Sequence, residues 1–328
     1  MGKKIKKIGV MTSGGDAPGM NAAIRAVVRT CAYYNIECVG IYRGYQGMID
    51  ADFVKLDARS VNNIINRGGT ILKSSRSAEF KTKEGRAKAY ENIKNAEIDG
   101  LILIGGDGTF TGGMVFYNEF KVPCIGIPGT IDNDIFGTNY TIGYDTALNT
   151  VIEVIDKIRD TASSHNRLFF VEVMGRDAGF IALNAGVGAG AEEILIPEED
   201  LGLDRLLESL KRSKRSGKSS SIVVVTEGDK IGKSVFELAN YVEENLQQYE
   251  VRVSVLGHMQ RGGSPSCFDR VLASRLGVKS VELLLDGKSN LMVGLTNNKV
   301  TTTLLDKAVK GRHEINMELI RVSDIMSI

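Results

Sequence analysis

The chain has 328 residues, of which 43% are hydrophobic and 25% are charged, as is ordinary for a globular enzyme with one large or two smaller domains. It carries 41 Lys and Arg residues against 40 Asp and Glu residues. This near-neutral balance argues against a nucleic-acid or polyanion binder, although it allows local basic pockets. There is no membrane-length apolar run, the basic start lacks a signal-peptide core, and the four cysteines form no CxxC pair, so we expect a cytoplasmic protein with reduced thiols.

In chain order, apolar runs alternate with Gly-rich turns and helical patterns. The first half predicts strands at 7–12, 36–41, 101–104 and 122–127, and helices from Pro18 to about Tyr34 and over 85–96. The second half predicts strands at 168–173, 193–196, 222–225, 252–256 and 300–304, and helices over 142–159, 178–185, 203–215, 234–247 and 264–285. This alternation predicts an α/β fold of two doubly wound, Rossmann-like domains with mainly parallel sheets facing a cleft.

Two neighbouring strands end in segments that can bind a phosphate and a metal. The apolar run Leu101–Ile104 stops at Gly105–Thr109, and Val122–Ile127 stops at Pro128–Asp134. In an open parallel sheet both ends lie at the ligand-binding edge, and the next helix N-terminus favours an anion. The three carboxylates in these segments would repel a phosphate unless Mg²⁺ lay between them, so metal-assisted phosphoryl transfer is indicated. Taken alone, Gly105–Thr109 is also compatible with a simple tight turn.

A series of motifs resembles the bacterial-type ATP-dependent 6-phosphofructokinases over nearly the whole chain. They stand in the family's order: TSGGDAPGMNAAIR, RGGTIL, GGDGT, PGTIDND, VMGR and LGHMQRGGSP. The resemblance implies a glycolytic kinase that transfers the ATP γ-phosphoryl group to the 1-hydroxyl of D-fructose 6-phosphate with Mg²⁺, giving fructose 1,6-bisphosphate. It places an ATP-binding domain in residues 1–143 plus 260–310 and a fructose 6-phosphate-binding domain in 144–259 plus 311–328.

The same resemblance assigns the reaction to a few residues. Asp132 is the general base, and Asp107 holds Mg²⁺. Asp134 would orient Asp132 or face the metal, because residues two apart in an extended segment point the same way. Thr130 and Arg176 suit the stabilisation of charge on the transferring group. The residues expected to line ATP are Gly15, Arg76, Ser77, Gly106, Asp107, Gly108 and Thr109.

For the sugar phosphate, the resemblance implies that Glu227 accepts a hydroxyl hydrogen bond and that His258 and Arg261 hold the 6-phosphate. Arg167 and Arg252 would reach in from a neighbouring subunit, which implies an active site shared within a homotetramer. Read singly, each arginine is also compatible with a solvated surface charge. The full expected set is Thr130, Ile131, Asp132, Arg167, Met174, Gly175, Arg176, Glu227, Arg252, His258 and Arg261.

The phosphoryl donor depends on two glycines. Pyrophosphate-using relatives typically carry an acidic residue at the position of Gly108 and a lysine at that of Gly129, whereas glycine at both favours ATP. The alternatives are a pyrophosphate-dependent enzyme, a catalytically dead sugar-phosphate-binding paralogue, and a lipid or nicotinamide-nucleotide kinase with a GGDGT turn. Retained Asp107, Asp132 and Arg176 argue against the dead paralogue.

A regulatory pocket for ADP or phosphoenolpyruvate is also implied. Arg25 and Arg29 lie one helical turn apart on one face, although such a pair is also compatible with an exposed basic helix face. The residues resembling the family's effector pocket are Arg25, Arg29, Arg159, Gly190, Glu192 and Lys218. The chain departs from the family at Ala58, Ser216, Ser219 and Ser220, where basic or histidine side chains are usual. We therefore expect weakened or altered regulation. Asp177, after Arg176, is a further departure.

Overall fold

The computed structural model describes residues 5–163, 167–199, 202–215, 221–228, 234–247 and 249–326, and they form an α/β fold. The strands are β1 Lys7–Thr12, β2 Glu37–Ile41, β3 Phe53–Leu56, β4 Gly100–Gly105, β5 Cys124–Pro128, β6 Arg167–Val173, β7 Glu193–Leu195, β8 Ser221–Thr226, β9 Glu250–Val255, β10 Leu291–Thr296 and β11 Lys299–Leu304. The helices are α1 Met20–Tyr33, α2 Tyr45–Asp50, α3 Lys83–Asn95, α4 Asp107–Phe120, α5 Tyr144–Ser163, α6 Phe180–Gly188, α7 Gly202–Arg215, α8 Val235–Asn245, α9 Cys267–Leu285, α10 Leu305–Lys310 and α11 Met317–Met326. Short 3₁₀ helices occupy Glu79–Lys81 and Gly257–Arg261.

The chain divides into two compact units, each with its own sheet. Unit 1 comprises Met1–Thr146 and Arg261–His313, and unit 2 comprises Ala147–Gln260 and Glu314–Ile328. The sheet of unit 1 has the strand order β11-β10-β5-β4-β1-β2-β3, and that of unit 2 has the order β7-β8-β6-β9. All pairs are parallel except β2–β3 and β10–β11. The predicted α/β class with mainly parallel sheets is confirmed.

The sequence pattern was least informative for helix α2 and for strand β10. Helix α2, which begins at Tyr45, lies in a stretch between residues 41 and 85 for which the sequence analysis predicted no element. Strand β10 lies in a stretch that has little pattern, because Gly294 interrupts a short apolar run. Its extended conformation comes from pairing with β5 on one side and β11 on the other. Tertiary pairing therefore fixes these elements more than local preference does.

The central strands of unit 1 bring the turns after β1, β4 and β5 together. All six residues of β4 are buried, as expected for a parallel strand covered on both faces. Strand β4 pairs with β1 on one side and β5 on the other. The connection after β1 leads towards β2, whereas β4 lies on the opposite side of β1, which makes a topological switch point. Ligands bind at such points, outside the carboxyl ends of the strands. Among the described residues, no helix is both long and apolar enough to cross a membrane.

Candidate active site

Backbone hydrogen bonds join the turns after β1, β4 and β5 at one edge of the unit 1 sheet. The N–H of Ser13 donates to the carbonyl of Ile104 at 3.0 Å, and the N–H of Gly129 donates to that of Gly105 at 3.0 Å. The hydroxyl of Thr109 donates to the Ser13 carbonyl at 3.1 Å. These bonds fix the three turns relative to one another before any ligand is bound.

The turn after β4 is open on its outer side. Asp107 begins the 14-residue helix α4 and is exposed, as is Gly108. A Cβ placed on Gly108 would meet nothing within 4 Å, and one placed on Gly106 would lie 3.8 Å from the Cβ of Thr130. The Asp107 turn and the Thr130 turn are therefore neighbours. The first turn of α4 offers unpaired N–H groups and the positive end of the helix dipole to an anion.

The described residues contain no cluster of three or more His, Cys, Asp or Glu side chains that could hold a metal by themselves. Mg²⁺ itself needs no such cluster, because it keeps several waters and is usually held by one or two carboxylates together with substrate phosphates. Asp107 supplies one such carboxylate beside the open phosphate-binding turn. The donor set present is therefore suitable for magnesium carried by a nucleotide.

The turn after β5 buries Asp132 against Thr130. The Thr130 hydroxyl lies 3.3 Å from Asp132 Oδ2 and accepts the Asp132 N–H at 3.2 Å. Only 8% of Asp132 is exposed. Between the two carboxylates, Asn133 adopts a left-handed conformation with φ of 55°. The segment is therefore not extended, and the argument that Asp132 and Asp134 point the same way was wrong, because its alternation requires β geometry at Asn133.

The other predicted ATP residues lie in unit 1 with Arg261. The guanidinium of Arg261 packs on Gly15, where a Cβ would lie 2.5 Å from Nη1, and it donates to the Asp16 carbonyl at 3.3 Å. Ser77 donates to Gln46 Oε1 at 2.8 Å and accepts the Phe80 N–H at 3.1 Å, while Arg76 is exposed. Arg261 thus lies beside the Gly15 turn, in a different unit from most of the residues predicted to bind the sugar phosphate.

In unit 2, the turns after β6 and β8 are joined at the sheet edge. The N–H of Arg176 donates to Glu227 Oε1 at 3.3 Å, and the N–H of Glu227 donates to the Val173 carbonyl at 2.9 Å. Arg176 has a φ of 59°, in the left-handed region that only a few per cent of non-glycine residues adopt. Arg176 and Asp177 are exposed, whereas Met174 and Gly175 are buried beneath them.

The 3₁₀ helix after β9 is tied to the same edge by Gln260, which is fully buried. Its side-chain oxygen accepts the Met174 N–H at 3.2 Å, and its amide donates to the Gly257 carbonyl at 3.1 Å. These bonds place the exposed His258 near the Met174 turn. Gln260 belongs to the LGHMQRGGSP motif, but the sequence analysis gave it no role, because a glutamine side chain in a turn carries no periodic signal.

Arg167 and Arg252 meet at a shared carboxylate. Arg167 on β6 donates to Glu250 Oε2 at 3.0 Å, and Arg252 on β9 pairs with Glu250 Oε1. Glu250 stands opposite Arg167 in the β6–β9 register, which explains the contact. Sequence analysis missed Glu250, since cross-strand pairing across this distance along the chain is not visible in a local pattern.

The predicted effector residues fall into two groups. In unit 1, Arg29 donates to Asn62 Oδ1 at 3.2 Å; burial and the nearby charge of Arg29 both lower the pKa of Arg25. In unit 2, Arg159 donates to the carbonyl of Gly190 at 2.7 Å and faces the buried Glu192 at 3.9 Å. Four further positions of this prediction lie outside the described residues: Ser216, Lys218, Ser219 and Ser220.

Comparison with known proteins agrees with this architecture. A family model for phosphofructokinase matches residues 7–284. "ATP-dependent 6-phosphofructokinase 1" of Thermus thermophilus is 56% identical over 99% of this chain and 100% of its own length. "ATP-dependent 6-phosphofructokinase 2" of Bacteroides thetaiotaomicron is 51% identical over 99% of each chain. The phosphofructokinase structure from Saccharomyces cerevisiae superposes with a TM-score of 0.89 at 34% identity, covering 98% of this chain and 48% of the yeast chain. With a family model that matches most of the chain and full-length relatives at this identity, the chain belongs to the phosphofructokinase family.

Proposed function

We propose that this chain is an ATP-dependent 6-phosphofructokinase that phosphorylates the 1-hydroxyl of D-fructose 6-phosphate. The observation that carries the proposal is the adjacency of two turns. The Asp107 turn, open to an anion, lies beside the Thr130–Asp132 turn, which presents a buried carboxylate. Phosphoryl transfer needs a donor phosphate and an activated hydroxyl side by side, and it relies mainly on positioning and charge stabilisation.

In this mechanism the chain's own residues bind the donor, activate the acceptor and stabilise charge. The Gly105–Thr109 turn would receive the ATP phosphates with its backbone N–H groups, and Asp107 would hold Mg²⁺. Magnesium, when bound, neutralises charge on the phosphates. Asp132 would take the proton from the sugar hydroxyl, while the Thr130 hydroxyl keeps Oδ2 in place. Arg176 would stabilise the charge that develops during transfer.

The basic residues of the turns after β6 and β9 suit the sugar phosphate. His258 would bind the 6-phosphate, and Glu227, already fixed by the Arg176 N–H, would accept a sugar hydroxyl. Arg167 and Arg252 would serve the site of a neighbouring subunit in a homotetramer. Unit 1 would then be the ATP-binding domain and unit 2 the fructose 6-phosphate-binding domain of a cytoplasmic, glycolytic enzyme.

Space at Gly108 supports ATP as the donor in preference to pyrophosphate. No atom lies within 4 Å of a Cβ at Gly108, so the volume beyond it is available to the nucleotide. At Gly129 a Cβ would lie 3.1 Å from Ile104 and 3.3 Å from Met20, so a side chain there requires local shifts. An acidic side chain at position 108 would occupy the volume available to the nucleotide. A lysine at position 129 would require the local shifts of Ile104 and Met20.

Regulation by ADP or phosphoenolpyruvate would involve the predicted effector residues. Arg159 is already held by the Gly190 carbonyl and faces Glu192, so a nucleotide would meet a partly neutralised arginine. With serine at three positions that are usually basic or histidine, we propose that this regulation is weak. Sigmoidal fructose 6-phosphate curves that micromolar ADP makes hyperbolic would contradict this part of the proposal.

The test is a coupled assay of the purified chain with fructose 6-phosphate and Mg²⁺. We expect turnover with ATP and none above background with pyrophosphate. Turnover with pyrophosphate alone would overturn the donor assignment. Absence of turnover with either donor, in a protein that binds fructose 6-phosphate, would favour the dead sugar-phosphate-binding paralogue.

A further inference from the structure

The segment after α10 passes beside the turn that carries Asp132. The Nδ1 atom of the His313 imidazole lies 2.7 Å from the backbone carbonyl oxygen of Asn133. A carbonyl oxygen only accepts hydrogen bonds, so Nδ1 carries the hydrogen and donates it. Asn133 is the residue between Asp132 and Asp134, and this bond therefore acts on the backbone immediately after the proposed base.

The Asn133 side chain is held by hydrogen bonds of its own, to Thr141 and Asn139. Its oxygen accepts the Thr141 N–H at 2.8 Å and lies 3.2 Å from the Thr141 hydroxyl, and its amide donates to the Asn139 carbonyl at 3.2 Å. Asn133 is 3% exposed and keeps its left-handed backbone conformation. Asparagine adopts this conformation more readily than most residues do, and here these hydrogen bonds fix it. The turn is therefore held both by the hydrogen bonds of the Asn133 side chain to Thr141 and by the bond from His313 to the Asn133 carbonyl.

His313 is anchored to the same unit as the turn it contacts. Gly311, two residues earlier, lies so close to Phe136 that a Cβ there would be 2.4 Å from the ring. Leu305 and Ala308 of α10 belong to one buried cluster with Phe110 of α4. The segment that presents the imidazole is therefore packed on the helix that begins at Asp107.

We propose that His313 is a positioning residue for Asp132: its Nδ1–H bond to the Asn133 carbonyl holds the catalytic turn in the geometry needed for proton abstraction. This inference rests on the proposed kinase function. His313 acts through the turn, so its loss lowers kcat and leaves the KM values for both substrates nearly unchanged. A displacement of about 1 Å at a reacting group costs roughly 100-fold in rate.

The experiment compares side chains that keep or lose a donor at the position of Nδ1. The side-chain nitrogen of asparagine matches Nδ1 in reach, whereas that of glutamine matches Nε2. We expect His313→Leu and His313→Gln to lower kcat about 10- to 100-fold. His313→Asn should stay within about threefold of the unsubstituted enzyme, with KM values within about threefold in all three variants. Arg312→Ala, at the exposed neighbouring position, is the matched control.

Thermal unfolding of each variant separates folding from positioning. If His313→Leu does not fold, the Asn and Gln pair decides, because both are polar and differ in where the donor lies. Equal kcat values for these two variants, or a folded His313→Leu variant with unchanged kcat, would overturn the inference. An unsubstituted enzyme without turnover would instead contradict the proposed function, so the two failures are distinguishable.

Discussion

Thr130 controls Asp132 through two contacts, one to the carboxylate and one to the backbone N–H. This pairing orients the carboxylate and leaves Thr130 next to the Asp107 turn, which is the proposed phosphate site. A base that is both buried and held in this way needs little reorganisation when it accepts a proton, which is how preorganised sites gain rate. In the proposed mechanism, the chemical step therefore depends on the contacts between these two residues.

Replacing Asp132 by serine removes the proposed base. We expect Asp132→Ser to lower kcat by about 10²- to 10⁴-fold, the usual worth of a general base, with little change in the KM for fructose 6-phosphate. Arg252→Ala provides the contrast, because it should mainly raise that KM. Steady-state kinetics with varied sugar phosphate measure both, and the reverse pattern would refute the two assignments.

At Gly108 the proposed nucleotide site can be filled without disturbing the fold. A Cβ there meets no atom within 4 Å, so Gly108→Asp should leave thermal unfolding nearly unchanged. Its carboxylate would oppose the ATP phosphates, and repulsion of about 1–4 kcal/mol at 4 Å corresponds to a KM for ATP raised roughly fivefold to several hundredfold. Gly108→Ala is the control and should change that KM little. Equal effects of alanine and aspartate would indicate a steric rather than a charge effect.

At the scale of elements, α2 braces the first turn of α4. The Tyr45 hydroxyl donates to the Thr109 carbonyl at 2.5 Å, and the Gly113 backbone also hydrogen-bonds to Tyr45. The ring stacks on Phe80 with centroids 4.0 Å apart. Burial raises the pKa of Tyr45 well above its usual value, so the phenol stays protonated and remains a donor. The helix that presents Asp107 is thus held by an element outside the proposed site.

Tyr45→Phe keeps the ring and removes the donor. A buried group left without its partner costs about 1–3 kcal/mol, so we expect the free energy of unfolding to fall by that amount. The KM for ATP should rise because the first turn of α4 loosens. Tyr117→Phe, the same change at a half-buried position of α4, is the control. Denaturant unfolding measures the stabilities, and equal losses for both variants would argue against the brace.

The sequence predicted the strands better than it predicted the contacts within the turns, and the reasons are physical. Strands such as β4 were predictable because a buried apolar run ending in glycines has one common structural meaning. The contacts that Asn133 and Gln260 make depend on residues far along the chain or on side-chain direction within a turn, and neither leaves a local signal. The left-handed backbone at Asn133 also left no local signal, and it removes the extended geometry on which the expectation for Asp134 rested.

At the scale of the whole molecule, Asp269 links the starts of two long helices. It is fully buried near the start of α9 and accepts the N–H groups of Gly143 and Thr146, each at 2.9 Å, at the first turn of α5. In return, Ser266, the N-cap of α9, donates its hydroxyl to Asp145 at 2.5 Å. Burial, only partly offset by hydrogen bonds from Thr146, raises the pKa of Asp269 to about 6.

This pKa predicts a stability that depends on pH. Because the folded-state pKa lies above the ordinary value of 3.8, the contribution is fully present below that value and is lost as pH rises through about 6. A shift of this size corresponds to about 3 kcal/mol. We expect the unfolding free energy of the unsubstituted protein minus that of Asp269→Asn to fall between pH 4 and 7. A difference that stays constant or grows would contradict the prediction.

The discontinuity of unit 1 has a consequence for synthesis on the ribosome. Strand β10 joins the sheet beside β5, and α9 packs on α1, yet both arise from the segment that follows Gln260. The flank of β5 therefore stays uncovered until β10, at Leu291–Thr296, has been synthesised. Most of unit 2, Ala147–Gln260, is synthesised before that point as one uninterrupted stretch, and its last part, Glu314–Ile328, follows afterwards. A nascent chain stalled before α9 would expose an unpaired strand edge, the kind of surface that chaperones recognise.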